Sequence, residues 1–158
     1  MRIAPTTKWH YTIGVHFENI IRDGEIKQST DHVRYKPIVW FSTAPDWEPT
    51  ANKNRVEKDG RIISLNREET EREHGGLVRI GVAPETAPHD WQALKELSGM
   101  SSKIAKGLYD AAIKEGSRPG DWWGTFEPVP KSKWIAVEVY QNGTWIAKET
   151  TRPTSPSC

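Results

Sequence analysis

A histidine near the start of this chain and a glutamate near its end have the settings that best suit chemistry. His10 stands in "WHYT" (9–12), between an indole and a phenol. Apolar residues at helical spacing follow at once. A corner where a strand gives way to a helix can hold a polar ligand, because the first turn of a helix offers backbone N–H groups. Tyr11 and Thr12 add hydroxyls to that corner, although strand alternation sends His10 and Tyr11 to opposite faces. Glu127 lies in "TFEPVP" (125–130), between Phe126 and Pro128. An unpaired buried charge there would be costly, so this side chain either faces water at a sheet edge or is held for use. Glu138 competes for any acidic role from a strand on which Trp134, Ala136 and Tyr140 share its face. Arg79 interrupts the apolar "LVRIGVA" (77–83), and its guanidinium fork suits a carboxylate or a phosphate. Phe41, Ser42 and Thr43 end another strand; taken alone they read as a buried aromatic and two turn residues.

The elements that must position these residues follow from periodicity and turn chemistry. Residues 8–11 read as a short strand after a frayed lead-in. Thr12 is the expected N-cap of a helix carrying Ile13, Phe17, Ile20 and Ile21, and Gly24 is its stop. "KPIVWFST" (36–43), "GRIISL" (60–65) and "LVRIGVA" read as strands, with a polar loop at 44–54 and a solvated helix or loop at 66–76. Asp90 caps a short helix with Trp91, Leu94 and Leu97 that ends at Gly99. Ser101 or Ser102 caps another with Ile104, Leu108 and Ala112, ended by Gly116. Residues 117–124 read as a turn-rich loop, and the prolines of 125–130 as a sheet edge. Asn142-Gly143 between alternating apolar residues predicts a hairpin. The order reads as α+β, with one domain over 8–149 and a disordered tail over 150–158.

Composition sets the remaining bounds. With 158 residues there is room for one domain with a real core. The net charge of +1 gives no overall bias toward a polyanion. The one cysteine, Cys158, supports neither a disulfide framework nor a zinc site, so no metal is expected and a reducing, cytoplasmic setting fits. No run has the length of a membrane span, and the N-terminus lacks the apolar core of a signal peptide. The chain is read as a monomer. Eight tryptophans are spread along it, which suits core and pocket walls. The glycine-rich phosphate loops, the Gly-x-Ser-x-Gly elbow and the His-Glu-x-x-His zinc motif are absent.

"WHYT" before a helix ending "IIRDGEI", then "VWFST", then a late glutamate before "PVP", resembles the ADP-ribosyltransferase fold family. The likeness is to its small prokaryotic and phage members, including the DarT-like group, and it covers roughly residues 8–140. The resemblance implies a split, twisted antiparallel sheet with flanking helices, and transfer of ADP-ribose from NAD to a macromolecular acceptor. His10 would then bond the adenosine ribose, with Tyr11 and Thr12 beside it at the helix start. Trp40 or Phe41 would border the nicotinamide, Ser42 would support the site, and Glu127 would be the catalytic acid. Phe41 replaces the tyrosine that this family carries on its middle strand. Trp47 is a second candidate to line the nicotinamide ring, and Arg79 to meet a phosphate. Two alternatives stay open: a transferase acting on RNA 2′-phosphate, and a non-catalytic nucleotide- or protein-binding module on the same fold. The acceptor (protein, DNA or RNA) and the role (toxin, defence or counter-defence) stay open as well.

Overall fold

The computed structural model describes residues 6–28 and 34–148. Within them the chain forms β1 (Lys8–Ile13), α1 (Gly14–Asp23), β2 (Glu25–Ile26), β3 (Val39–Ser42), β4 (Asn54–Val56), β5 (Ile62–Ser64) and α2 (Arg67–Glu73). There follow β6 (Leu77–Val82), β7 (His89–Asp90), α3 (Trp91–Ser98), α4 (Ser102–Glu115), β8 (Trp122–Thr125), β9 (Val129–Pro130), β10 (Trp134–Gln141) and β11 (Thr144–Ala147). The protein is α+β. Seven strands make one antiparallel sheet in the order β11-β10-β6-β1-β3-β8-β7. Two small ladders, β2 with β9 and β4 with β5, stand apart from it. The tail expected over 150–158 lies outside the described residues.

β6 is the centre. All six of its residues are buried, and it pairs with β1 along its whole length and with β10 on its other side. Register then assigns every side chain to a face. On one face Val78, Ile80 and Val82 meet Val39, Phe41 and Val137, and α1 covers them with Phe17, Ile20 and Ile21. On the other face Trp9, Tyr11, Ile13 and Leu77 pack beneath Trp47, with Tyr140 and Trp145 at the margin. Further along that second face, Trp40, Trp91 and Trp122 meet one another through ring contacts at 5.1–6.4 Å. Six of the eight tryptophans thus lie on the sheet's second face, while Trp123 and Trp134 pack against the first.

Several expectations need correction. β1 runs on to Ile13, because β6 offers a partner to each of its residues. Thr12 is therefore a buried strand residue; Ile13 holds the N-cap position of α1 and makes no side-chain cap bond. In its place Gly76 and His74 carbonyls accept from the Gly14 and Val15 N–H groups. Gly14 permits that approach, since a Cβ there would lie 2.0 Å from the Gly75 carbonyl oxygen. Trp122 and Trp123 belong to a strand, and β8 lies inside the sheet, with β7 outside it. Residues 60–65 contribute only to the separate β4–β5 ladder, whose Val56 and Ile62 are exposed. The remaining markers agree with the fold. Gly24, Gly99 and Gly116 end their helices in left-handed conformations, Asp90 and Ser101 cap theirs, and Asn142 (φ 52°) with Gly143 (φ 83°) turns the β10–β11 hairpin.

Candidate functional site

The sheet changes character between β1 and β3. These strands share a ladder rung at Trp9 and Ser42. One residue on, side-chain chemistry takes over from backbone pairing, because His10 Nδ1 lies 2.8 Å from the Trp40 carbonyl oxygen. A carbonyl only accepts, so Nδ1 carries the proton and Nε2 of the neutral ring keeps its lone pair. Burial pushes the His10 pKa below its ordinary value, and Lys53 and His16 push the same way against the Trp40 bond, so the ring is held neutral. The Phe41 ring stands beside it at 5.7 Å. His10, Thr12 and Phe41 thus share the face that α1 covers.

Tyr11, Trp40, Ser42, Trp47, Arg79 and Glu138 lie on the opposite face. There the Arg79 guanidinium donates from Nε and Nη2 to Glu138 Oε1 at 2.8 and 2.6 Å, and from Nη1 to the Pro45 carbonyl and the Tyr11 hydroxyl. It also sits 3.9 Å from the Trp9 ring centre and 4.6 Å from that of Trp145. A guanidinium so engaged joins the sheet to the 44–47 segment. Tyr11 in turn donates to the Ala44 carbonyl at 2.5 Å, and burial pushes its phenol up to about 12. Trp47 is buried and donates to Asn52. Trp40 packs against Trp91 and Trp122.

Ser42 leads to a residue that sequence reasoning passed over. It donates to Glu48 Oε1, and the other oxygen of that buried carboxylate accepts from the Thr50 hydroxyl, the Ser117 hydroxyl and the Trp122 indole. Glu48 ties the 44–51 loop to the segment after α4. No local signal marks it, because two of its donors, Ser117 and Trp122, come from a stretch of chain about seventy residues away.

Glu127 occupies the bend between β8 and β9, where Pro128 and Pro130 offer no N–H to a ladder. Its side chain is exposed and lines a cavity of about 380 Å³ with Lys36, Glu85, His89, Phe126 and Lys133. A second cavity of about 440 Å³ runs along α1, by Gly14, Phe17 and Glu18. His10 lines neither of them.

A group of bases that drew no notice in the sequence adjoins His10. His16 lies in the first turn of α1; His74 ends α2 and is joined to that turn by the Val15 N–H bond to its carbonyl. Lys53 is anchored one helical turn earlier, its N–H donating to the Thr70 hydroxyl at 3.1 Å. No group of three or more His, Cys, Asp or Glu residues among the described residues is placed to hold a metal ion. Nor is any helix among them long and apolar enough to cross a membrane. Comparison with family models, curated proteins and solved structures finds no match to this chain.

Proposed function

We propose that the protein is an NAD-dependent ADP-ribosyltransferase, gripping NAD beside His10 and passing ADP-ribose to a macromolecular acceptor. The observation that carries this reading is the 2.8 Å contact between His10 Nδ1 and the Trp40 carbonyl, which commits Nδ1–H and leaves Nε2; burial favours the neutral ring. A ribose hydroxyl is the donor that the remaining Nε2 lone pair suits. An antiparallel α+β sheet with β1 near its middle is compatible with an ADP-ribosyltransferase-like fold, and Phe41 gives an aromatic surface on the His10 side.

In this scheme the bond between nicotinamide and ribose breaks, and its electron pair leaves with nicotinamide. The ribose carries a developing oxocarbenium charge. A carboxylate near it stabilises that charge more in the transition state than in the ground state. Glu127 is the proposed carboxylate, and it also accepts the proton that the acceptor nucleophile loses as its new bond to ribose forms. Glu138 is unsuited to the part, because Arg79 already holds it.

Calorimetric titration with NAD tests the grip. His10→Ala is expected to weaken binding by about 1–2 kcal/mol, the scale of a hydrogen bond in a partly desolvated site. Unchanged affinity with only a lowered melting temperature would assign His10 to packing. One observation favours a second reading, a binding module without turnover: neither described cavity is lined by both Glu127 and His10. Saturable NAD binding with no nicotinamide release would select it.

A further inference from the structure

Lys53, His16 and His74 have no part in the scheme above, yet the segment before β4, the first turn of α1 and the turn after α2 bring them to the corner beside His10. The corner is braced by backbone bonds from Gly14 to Gly76 at 2.9 Å and from Val15 to His74 at 3.3 Å. The Lys53 backbone is braced too, by Thr70 at its N–H and by the Leu65 N–H at its carbonyl. Its ammonium has no hydrogen-bond or ion-pair partner among the described residues, although the side chain is half-buried. A partly desolvated ammonium without a counter-charge is costly unless something arrives to meet it.

Among the described residues, none supplies that counter-charge. Lys53 and His16 act on His10, and Lys53 and His74 act on His16; all of these groups are bases. Of the nearby acids, Glu73 next to His74 is paired with Arg55 at 2.6 Å, and no carboxylate among the described residues acts on His10, His16 or Lys53. Bases gathered without an acid match the chemistry of a phosphate.

We propose that Lys53, His16 and His74 form an anion site for a phosphate group of the same ligand whose hydroxyl His10 receives. This rests on the reading of His10 given above. The substrate class is then a nucleotide, with a sugar hydroxyl at His10 and a phosphate one group further along, at the rim marked by the exposed His16.

Burial lowers the proton affinity of Lys53 and His16 in the free protein. An arriving anion reverses that bias, so binding takes up protons and tightens as pH falls through the histidine range.

The test is calorimetric titration of the full chain with inorganic pyrophosphate, with ADP and with NAD, at pH 6 and pH 8. Each is repeated in two buffers of different ionisation enthalpy. Pyrophosphate and ADP are expected to bind more tightly at pH 6, with net proton uptake. Lys53→Gln is expected to weaken both at least tenfold. Lys53→Arg, which keeps the charge, restores most of the affinity, and His16→Gln removes much of the pH dependence from an exposed position that does not threaten folding. Absence of pyrophosphate and ADP binding at pH 6 overturns the site. So does NAD binding that is lost in His10→Ala but untouched in Lys53→Gln; that result leaves the His10 reading standing. Pyrophosphate binding that needs Lys53, without any NAD binding, upholds the anion site and removes NAD as its ligand.

Discussion

Replacing Glu138 by alanine separates a structural carboxylate from a catalytic one. Its oxygen accepts two guanidinium bonds from Arg79, and the two side chains are only 17% and 11% exposed. Breaking a buried ion pair by removing one partner costs about 3–5 kcal/mol when the remaining charge is left stranded. Arg79 would not be wholly stranded. It keeps the Pro45 carbonyl, the Tyr11 hydroxyl and the Trp9 and Trp145 ring faces. The expected loss is therefore about 2–3 kcal/mol, or roughly 4–12 °C in melting temperature for a chain of this size. Urea unfolding followed by tryptophan emission measures it directly, since Trp9 and Trp145 flank the guanidinium. Arg79→Met leaves the mirror-image defect and is expected to destabilise to a similar degree. The reasoning fails if Glu138→Ala leaves stability within about 0.5 kcal/mol of the parent, the range of ordinary surface changes. It fails differently if stability holds while nicotinamide release disappears, for Glu138 would then be the reacting acid.

Further outcomes follow from other parts of the molecule. Gly14→Ala places a Cβ 2.0 Å from the Gly75 carbonyl oxygen, which requires backbone movement; a loss of about 2 kcal/mol or more in chemical denaturation is expected, against near-neutrality if the loop simply gives way. Glu48→Ala takes the acceptor from the Ser42, Thr50 and Ser117 hydroxyls, while the Trp122 indole keeps the Ser117 oxygen, and is expected to cost about 3 kcal/mol by the same assay. Because burial lowers the folded-state pKa of His10 below its ordinary 6.5, the unfolded chain binds the proton first as pH drops. The His10 contribution is thus fully present above about pH 6.5 and is lost as pH falls below it. His10→Gln is expected to flatten stability against pH across that window, and an unchanged slope would count against a buried neutral ring. Trp40 and Trp47 lie on the face away from His10, so Trp47→Phe is expected to leave any NAD-dependent change in emission largely intact; its disappearance would move the ligand to the aromatic face.

What the chain discloses locally it discloses well. Asn142-Gly143 carries its own turn chemistry, Asp90 and Ser101 their own caps, and Gly24 its own left-handed stop. Each depends on a few adjacent residues. The Thr12 cap failed for a non-local reason: β6 can pair with two more residues of β1 than the apolar pattern alone indicates. The prolines of 125–130 read as a sheet edge and gave no sign that Trp122–Thr125 would sit inside the sheet while Val129–Pro130 paired with β2 apart from it. The candidate site was less legible. Alternation separates His10 from Tyr11 in advance, but Trp40 and Phe41 cannot be assigned to faces until the Trp9–Ser42 rung is known. Arg79 offers the same guanidinium to a phosphate or a carboxylate, and only the register against Glu138 decides. His16, Lys53 and His74 are unremarkable in sequence; they become a group only where α2 meets α1.

The central claim is that this chain cleaves NAD with Glu127 as the acid and His10 as the grip. The most direct measurement is nicotinamide released from NAD over time in the presence of candidate protein, DNA and RNA acceptors, with the parent and Glu127→Gln compared side by side. The parent is expected to release nicotinamide as one acceptor gains the mass of an ADP-ribose. Glu127→Gln is expected to bind NAD as before while its rate falls at least about a hundredfold, the scale of losing one electrostatic stabiliser of the transition state. Equal rates in the two proteins would contradict the assignment of Glu127, and no release with any acceptor from a parent shown to bind NAD would contradict the transferase itself.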